Sequence, residues 1–360
     1  MRPMTEAELA EILRGANAPL VIRGGGTRGI GRAVGTVLET GGLAGVRLYE
    51  PGALTLVAGA GTPLAQVEAL LAAEGQRLPF EVPDMRGLLG RSGDSTLGGV
   101  VATNASGPRR VQAGACRDSL IGLRFVDGTG MAVKNGGRVM KNVTGLDLVK
   151  LMAGSHGTLA VLTEVAFKLL PIPEQAVTLR LSGLCDAQAV VAMAAALGSP
   201  NEVTGAAHWP GQGTFLRIEG FEPSVRYRMG QLARHLARFG SVEEVADIWA
   251  QVRDVAPFHG RAGDVWRLSL RPSTAAEVVA QAGAEAALYD WGGGLVWLLL
   301  EPGTDLRARL GRIEGHATRV RATDTAIPAF PPEPPEIAAL TAGLRAKFDP
   351  KGILNPGLMG

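Results

Sequence analysis

The sequence predicts an α+β protein in two parts closed by a short tail. Three observations predict it. Strands and helices mix in the first 170 residues without a regular βαβ rhythm, which argues against a doubly wound sheet. Composition shifts at Pro171-Ile172-Pro173: Gly is 29 of 173 residues up to that point and 21 of 187 after it, and all five Trp lie beyond it. After the shift come two similar rounds of strand and helix, the pattern of a ferredoxin-like α+β sheet with helices on one face, single or doubled. A second boundary is marked by Pro328, Pro331, Pro332, Pro334 and Pro335. The parts are therefore 1–173, 174–327 and 328–360.

Each element has a local reason. Thr5 with Glu8 forms a capping box, Leu9, Ile12 and Leu13 give one apolar face, and Gly15 stops that helix. Pro19 to Ile22 is a short strand entering a Gly-rich loop. Leu54 to Ala58 is a strand. Thr62 caps a helix with Pro63 in its first position and Leu64, Val67, Leu70 and Leu71 buried. Ser119–Val126 and Leu159–Phe167 are strands. In the middle part, Val177–Leu181, Phe215–Glu219, Val265–Leu270, Leu295–Leu300 and Thr318–Arg321 read as strands. Ala187–Leu197, Pro223–Phe239, Thr274–Ala282 and Asp305–Gly315 read as helices.

Composition excludes several classes. With 46% hydrophobic and 19% charged residues, the chain builds a sizeable core. Lys and Arg total 36 against 34 Asp and Glu, too even for a protein that reads nucleic acid by bulk charge. The N-terminus has no apolar signal region, and the longest apolar stretch, Ala189–Leu197, is about half of the ~20 residues that span a bilayer. Cys116 and Cys185 form neither a CxxC nor a metal-ligand cluster, so no metal is expected and a reducing cytoplasm fits. A membrane would be reached only through partners.

Gly is 50 of 360 residues, well above the usual level of about 7%. Much of it gathers in Arg23-Gly24-Gly25-Gly26-Thr27-Arg28-Gly29-Ile30-Gly31. The Gly24-x-Gly26-x-x-Gly29 spacing follows a strand, as in a dinucleotide fingerprint. The helix and the distant acid of that fingerprint are missing: Gly31 and Gly35 interrupt any helix, and Glu39 comes too soon. Consecutive glycines still expose backbone N–H groups that cradle a pyrophosphate, and this reading is preferred over a plain surface loop. A second cluster, Gly93 to Gly107, carries short hydroxyls and an amide among small residues. Alone it fits either a flat ligand lying on backbone or a buried Gly/Ala helix packed on a sheet.

Together, in this order, the clusters resemble the FAD-binding domain of the vanillyl-alcohol oxidase / p-cresol methylhydroxylase (PCMH) superfamily. Asp118 to Gly128, Gly154 to Glu164, and the tail Phe348-Asp349-Pro350-Lys351-Gly352-Ile353-Leu354-Asn355-Pro356-Gly357 add to the resemblance, which covers the first 170 residues and the last dozen. Within the superfamily the chain is most similar to the E-subunit family of bacterial glycolate oxidases. The resemblance implies an FAD cofactor, with Arg23, Gly24, Gly25, Gly26, Thr27, Arg28 and Gly29 on the pyrophosphate. It also implies Pro83, Ser95, Thr96, Gly98, Gly99, Thr103 and Asn104 along the flavin, Gly157, Val161 and Val165 near the adenine, and Asn355 returning from the tail to the flavin. It implies two partners, a paralogous FAD-linked oxidase subunit and an iron–sulfur subunit, and a small 2-hydroxy acid substrate.

The chain departs from the family pattern in informative places. Some relatives tether FAD through a His in the glycine loop; this loop has none, so non-covalent FAD is expected. His156 stands where many relatives carry an acid, and Cys116 reads as a small buried hydrophobe. The His-Gly-Asp-Gly-Asn-type motif that supplies base and metal ligands to relatives is absent. The nearest run, His259-Gly260-Arg261-Ala262-Gly263-Asp264, has different spacing. The catalytic candidates are Arg267, His259 and His208, with Arg253 and Arg271 as further carboxylate partners. Arg267 is preferred, because strand alternation aims it at the cofactor while Trp266 packs behind it. Two other readings stay open: a stand-alone flavin dehydrogenase, and a non-catalytic scaffold that keeps the FAD fold.

Overall fold

The computed structural model describes residues 1–137, 145–324 and 326–359. Helix Glu6–Gly15 opens the chain; the Thr5 hydroxyl accepts the Glu8 N–H, while the Glu8 carboxylate takes the Met4 N–H. Its Leu9 and Leu13 pack into a small core with Leu20, Leu38, Ile353 and Leu354. Strand Leu20–Arg23 pairs in parallel with Thr36–Glu39, and the tail adds a parallel bridge from Leu354 to Leu20. A second, antiparallel sheet runs in the order Val46–Glu50, Thr55–Gly59, Ala160–Lys168, Leu120–Asp127, Ala132–Gly136. Helix Leu64–Ala73 covers it through Leu64, Val67 and Leu71. Thr62 does not cap that helix, because Pro63 stands in the cap position between them. Its hydroxyl donates to Gly59 O and accepts the Gly45 N–H, which secures the turn before the helix instead.

The middle part is one eight-stranded sheet, ordered Val242–Val245, Gln175–Leu181, Gly213–Gly220, Val203–Trp209, Ala286–Asp290, Leu295–Leu300, Asp264–Leu270, Gly315–Arg321. It consists of two βαββαβ units, each in ferredoxin-like order, abutting at their second strands. The doubled form is therefore the one adopted. The seam pairs His208 with Tyr289, and the Tyr289 hydroxyl donates to Asp186 across it. Sequence reading misses both seam strands because Gly205, Ala206, Ala207, Ala286 and Ala287 have weak strand preference. The fourth helix is also shorter than expected, Leu306–Leu310, capped by Asp305 on the Ala308 N–H. Among the described residues no helix is long and apolar enough to cross a membrane.

Alternation splits this sheet cleanly. Leu216, Ile218, Trp266 and Leu268 face the helices, with Val190, Met193, Leu232 and Val278 among the side chains that meet them. Arg217 and Glu219 point the other way, toward the first part, where they meet Arg77, Glu81 and Arg109. Arg109 donates twice to Glu219, at 2.9 and 2.8 Å, and Arg77 donates once at 2.9 Å. Arg217 donates to both Glu81 oxygens, at 2.8 and 3.2 Å, and stacks on Trp249 at 4.7 Å. Burial opposes ionisation of Glu219, but the Arg109 bond and the charges of Arg217, Arg109 and Arg77 outweigh it and hold the carboxyl down at about 2. Glu81 is lowered too, with Arg217 and Arg109 overcoming burial.

Removing one carboxylate leaves buried guanidiniums unpaired, which costs about 3–5 kcal/mol. Glu219→Gln is expected to lower stability by that order in urea unfolding. The wild-type Glu219 contribution is present above its ordinary pKa of 4.5 and fades as pH falls toward about 2, since its folded value is depressed. The variant should lose this part of the acid dependence; an unchanged unfolding midpoint between pH 7 and 3 would show that the network does not hold the two parts together.

Candidate functional site

The glycine loop leaves strand Leu20–Arg23 and passes directly against the second cluster. A Cβ on Gly25 would lie 1.6 Å from the Asp94 carbonyl oxygen, and one on Gly24 would lie 2.3 Å from Thr96 Oγ1. Glycine is required at these two positions by the close approach of the two loops. Arg28 ties them further by donating from Nε and Nη2 to Ser95 Oγ, at 3.1 and 2.9 Å. Burial pulls the Arg28 guanidinium down to about 10, so it stays cationic at neutral pH. Arg23 turns outward and pairs with Glu39.

The backbone N–H groups from Gly25 to Gly31 donate to no acceptor among the described residues, although Thr27 and Arg28 are buried. Buried N–H groups are rarely left unpaired. A run of orphaned donors beside a buried guanidinium fits a pyrophosphate.

The second cluster resolves into a short helix, Leu97–Ala102, followed by an open turn. Thr96 caps the helix through Gly99 N, and Gly98 lies on strand Thr55–Gly59 and Ala60, its N–H bonded to Ala60 O at 2.6 Å. Thr103 is spent on Gly99 O, and Asn104 accepts the Arg117 N–H. Residues 97–102 thus form a small-residue helix, and Thr103 to Gly107 line a cavity. Asn355 does return from the tail, to the root of the glycine loop. Its Oδ1 accepts the Ile22 N–H and its Nδ2 donates to His156 O, both at 2.8 Å. Gly157, at φ +70°, leaves room for that amide, because a Cβ there would sit 2.9 Å from it. Both ends of the Asn355 amide are used, so it positions the loop. Val161 and Val165 are fully buried in the apolar cores beneath.

A cavity of about 450 Å³ lies between this surface and the exposed face of the doubled sheet. Pro83, Arg28 and His156 enter it from the first part, Arg267, Trp291 and His316 from the middle part. Arg267 faces it while Trp266 is buried on the helix side, as alternation required. The Arg267 guanidinium lies 5.2 Å from the Trp291 ring and 5.9 Å from Trp297, and Arg110 stacks on Trp291 at 4.9 Å. No hydrogen bond or ion pair reaches Arg267 from the described residues. Burial and the like charge of Arg110 bring it down to about 10, still cationic at pH 7. Asp290 sits on the same wall, where burial lifts its carboxyl to about 7. Burial keeps His156 neutral at about 4, its ring edge-on to Phe330, and burial with the charge of Arg267 lowers His316.

The other catalytic candidates are elsewhere. His208 is buried at the seam, bonded to Thr214 and facing Asp186, and does not line the cavity. His259 contacts Asp254 O and packs on Gly87, also off the cavity wall. Arg253 lines the cavity but pairs with Asp254, and Arg271 pairs with Glu314 on the surface. Cys116 is buried, where desolvation pushes its thiol up. Sequence reading missed Arg110, Asp290, Trp297 and His316. Trp297 and Thr318 stand beside Arg267, and His316 beside Ser269, in the strand register, so alternation along three strands carried that signal. Nothing local marks Arg110.

Comparison with known proteins agrees with this geometry. A family model described as an FAD binding domain matches residues 1–136. Over 345 residues, 95% of this chain and 92% of its relative, the chain is 36% identical to glycolate oxidase subunit GlcE of Escherichia coli (strain K12). The chain belongs to that family. Proteins that the chain resembles in part include a D-lactate dehydrogenase of Archaeoglobus fulgidus, 33% identical over 48% of this chain and 38% of that protein. Glycolate oxidase subunit GlcD of Bacillus subtilis (strain 168) is 44% identical over 24% of this chain and 18% of that protein. A solved alkyldihydroxyacetonephosphate synthase superposes on 100% of this chain and 77% of its own with TM-score 0.73 at 17% identity, a likeness of fold. The chain is thus an FAD-dependent oxidoreductase with a PCMH-type fold.

Because no His lies in the glycine loop, FAD should leave the protein intact on acid precipitation, and flavin absorbance should appear in the supernatant. Yellow colour retained in the pellet after washing would show a covalent link. Asn355→Leu orphans the Ile22 N–H and the His156 carbonyl, each worth about 1–3 kcal/mol. It is expected to lower the flavin-to-protein absorbance ratio of the purified chain by more than half while the protein stays folded by circular dichroism.

Proposed function

We propose that this chain is the FAD-binding subunit of a complex that oxidises glycolate, or a close 2-hydroxy acid, to the 2-oxo acid, together with a paralogous FAD-linked subunit and an iron–sulfur subunit. The observation that carries this reading is the similarity to a glycolate oxidase subunit along 95% of the chain. The cavity supports it. When bound, FAD supplies a two-electron acceptor for hydride. The orphaned N–H groups of Gly25 to Gly31, with Arg28, would hold its pyrophosphate. Arg267, half-buried and without an ion pair among the described residues, and Arg110 beside it, would take the substrate carboxylate in charge-assisted hydrogen bonds. The tryptophans fix the two guanidiniums in place.

The acid–base part is less complete. A general base is normally oriented by a third group. Among the described residues neither His156 nor His316 contacts a carboxylate, the Asp290 carboxylate accepts the Trp291 N–H, and the His208–Asp186 contact is at the seam. This supports work beside a partner over a stand-alone enzyme.

The test is anaerobic. Glycolate is mixed with the isolated chain and with the assembled complex, and flavin absorbance is followed. Bleaching within seconds is expected from the complex and not from the isolated chain. Rapid bleaching by the chain alone would make it a stand-alone dehydrogenase. In the complex, Arg267→Met should raise the KM for glycolate about 10- to 100-fold with flavin content unchanged.

A further inference from the structure

Helix Pro335–Phe348 buries none of its residues, although Ala, Leu, Ile and Gly make up most of it. Ile337, Leu340 and Leu344 are 47%, 66% and 37% exposed, and their spacing of three and four residues sets them on one face. A helix of this composition ordinarily lies against other protein. It is held at its C-terminal end: Arg345 donates to Leu358 O and Met359 O, and the Phe348 carbonyl accepts the Gly128 N–H. Another face of the helix, with Ala338, Thr341 and Ala342, forms one wall of a cleft of about 1630 Å³. That cleft communicates with the cavity described above, since His316, Phe330 and Met359 line both.

The cleft is basic: among the described residues that line it, arginines outnumber carboxylates. Arg32 and Arg312 make no hydrogen bond or ion pair among the described residues. Arg91, Arg307 and Arg321 donate only to backbone carbonyls. Three carboxylates share the lining: Asp324 pairs with Arg319, while Asp305 accepts the Ala308 N–H and Glu333 the Thr341 hydroxyl. An apolar ridge beside unpaired guanidiniums specifies its complement, an apolar strip bordered by Asp and Glu. A second copy of this chain fits poorly. A two-fold contact sets the same patch against itself and would bring the arginines together.

We propose that the Ile337–Leu340–Leu344 ridge and the adjoining arginine cleft are the docking face for a different, acidic-edged subunit, which sits over the mouth of the FAD cavity. This rests on the reading of the chain as one subunit of a complex. It adds where the partner binds and by which chemistry. Docked there, the partner closes the route between cavity and solvent and stands beside the cofactor site.

The experiment uses the full chain co-expressed with the paralogous flavoprotein and the iron–sulfur protein. Four forms are compared: wild type, Leu340→Glu/Leu344→Glu, Arg32→Glu/Arg312→Glu, and the control Val191→Glu on an exposed position of helix Asp186–Leu197. All four substitutions of the ridge and cleft are on exposed or unpaired side chains, so circular dichroism and flavin content of each chain alone should match wild type. Both double variants are expected to bind the partners at least about tenfold more weakly, the control unchanged, and wild-type association should weaken as salt rises. Double variants that assemble like wild type would overturn this placement while leaving the complex intact. A wild-type chain that binds neither subunit would overturn the subunit reading, and the docking face with it. Sedimentation of the isolated chain provides one more arm: a wild-type dimer that Leu340→Glu/Leu344→Glu turns into a monomer would assign the face to a second copy and overturn the proposal.

Discussion

The buried set of Arg77, Glu81, Arg109, Arg217 and Glu219 is the constraint on which the rest of the molecule depends. Two separately formed sheets meet there, and three guanidiniums and two carboxylates find partners only in one relative placement. Such pairs add little net stability over apolar packing, because desolvation consumes most of the attraction. Their effect here is on specificity: any other docking would strand buried charge. The placement they select is also the one that sets the open face of the doubled sheet opposite the glycine loop. The Trp291 indole N–H, which donates to Gly107 O at 3.0 Å, pins the same interface at the cavity's edge.

From that placement the division of labour in the sheet follows. Each strand spends alternate residues on the helices and leaves the others for the interface. On strand Gly213–Gly220 the interface residues are the locking charges. On strands Asp264–Leu270, Leu295–Leu300 and Gly315–Arg321 they are Arg267, Trp297 and His316, the cavity wall. One antiparallel design, repeated twice, thus holds the two parts together with its first half and offers chemistry with its second.

The tail closes the other side. The last residues of the chain return across more than 330 positions of sequence to the Leu20–Arg23 strand. Asn355 bonds that strand to the His156 turn, so the glycine loop is braced by the end of the chain. Closing so long a loop costs conformational entropy, which these bonds must offset. The helix before the tail is left with an unburied apolar face, consistent with a molecule that finishes its packing against another.

Much of this was legible in the residues. The glycine loop, the capped first helix, the alternation that aims Arg267 inward and the ferredoxin-like rounds all rest on short-range rules of turn, cap and period. Tertiary structure alone decided the rest. Thr62 serves a turn and caps no helix, since Pro63 holds the cap position and the hydroxyl is bonded to Gly59 and Gly45. The strands rich in Gly and Ala at the seam exist because neighbouring strands hold them there, against their weak local preference. The cavity itself joins Arg28, Arg110, His156, Arg267, Asp290 and His316, residues that no local pattern relates. They become a site only when the buried charges fix how the two sheets face each other.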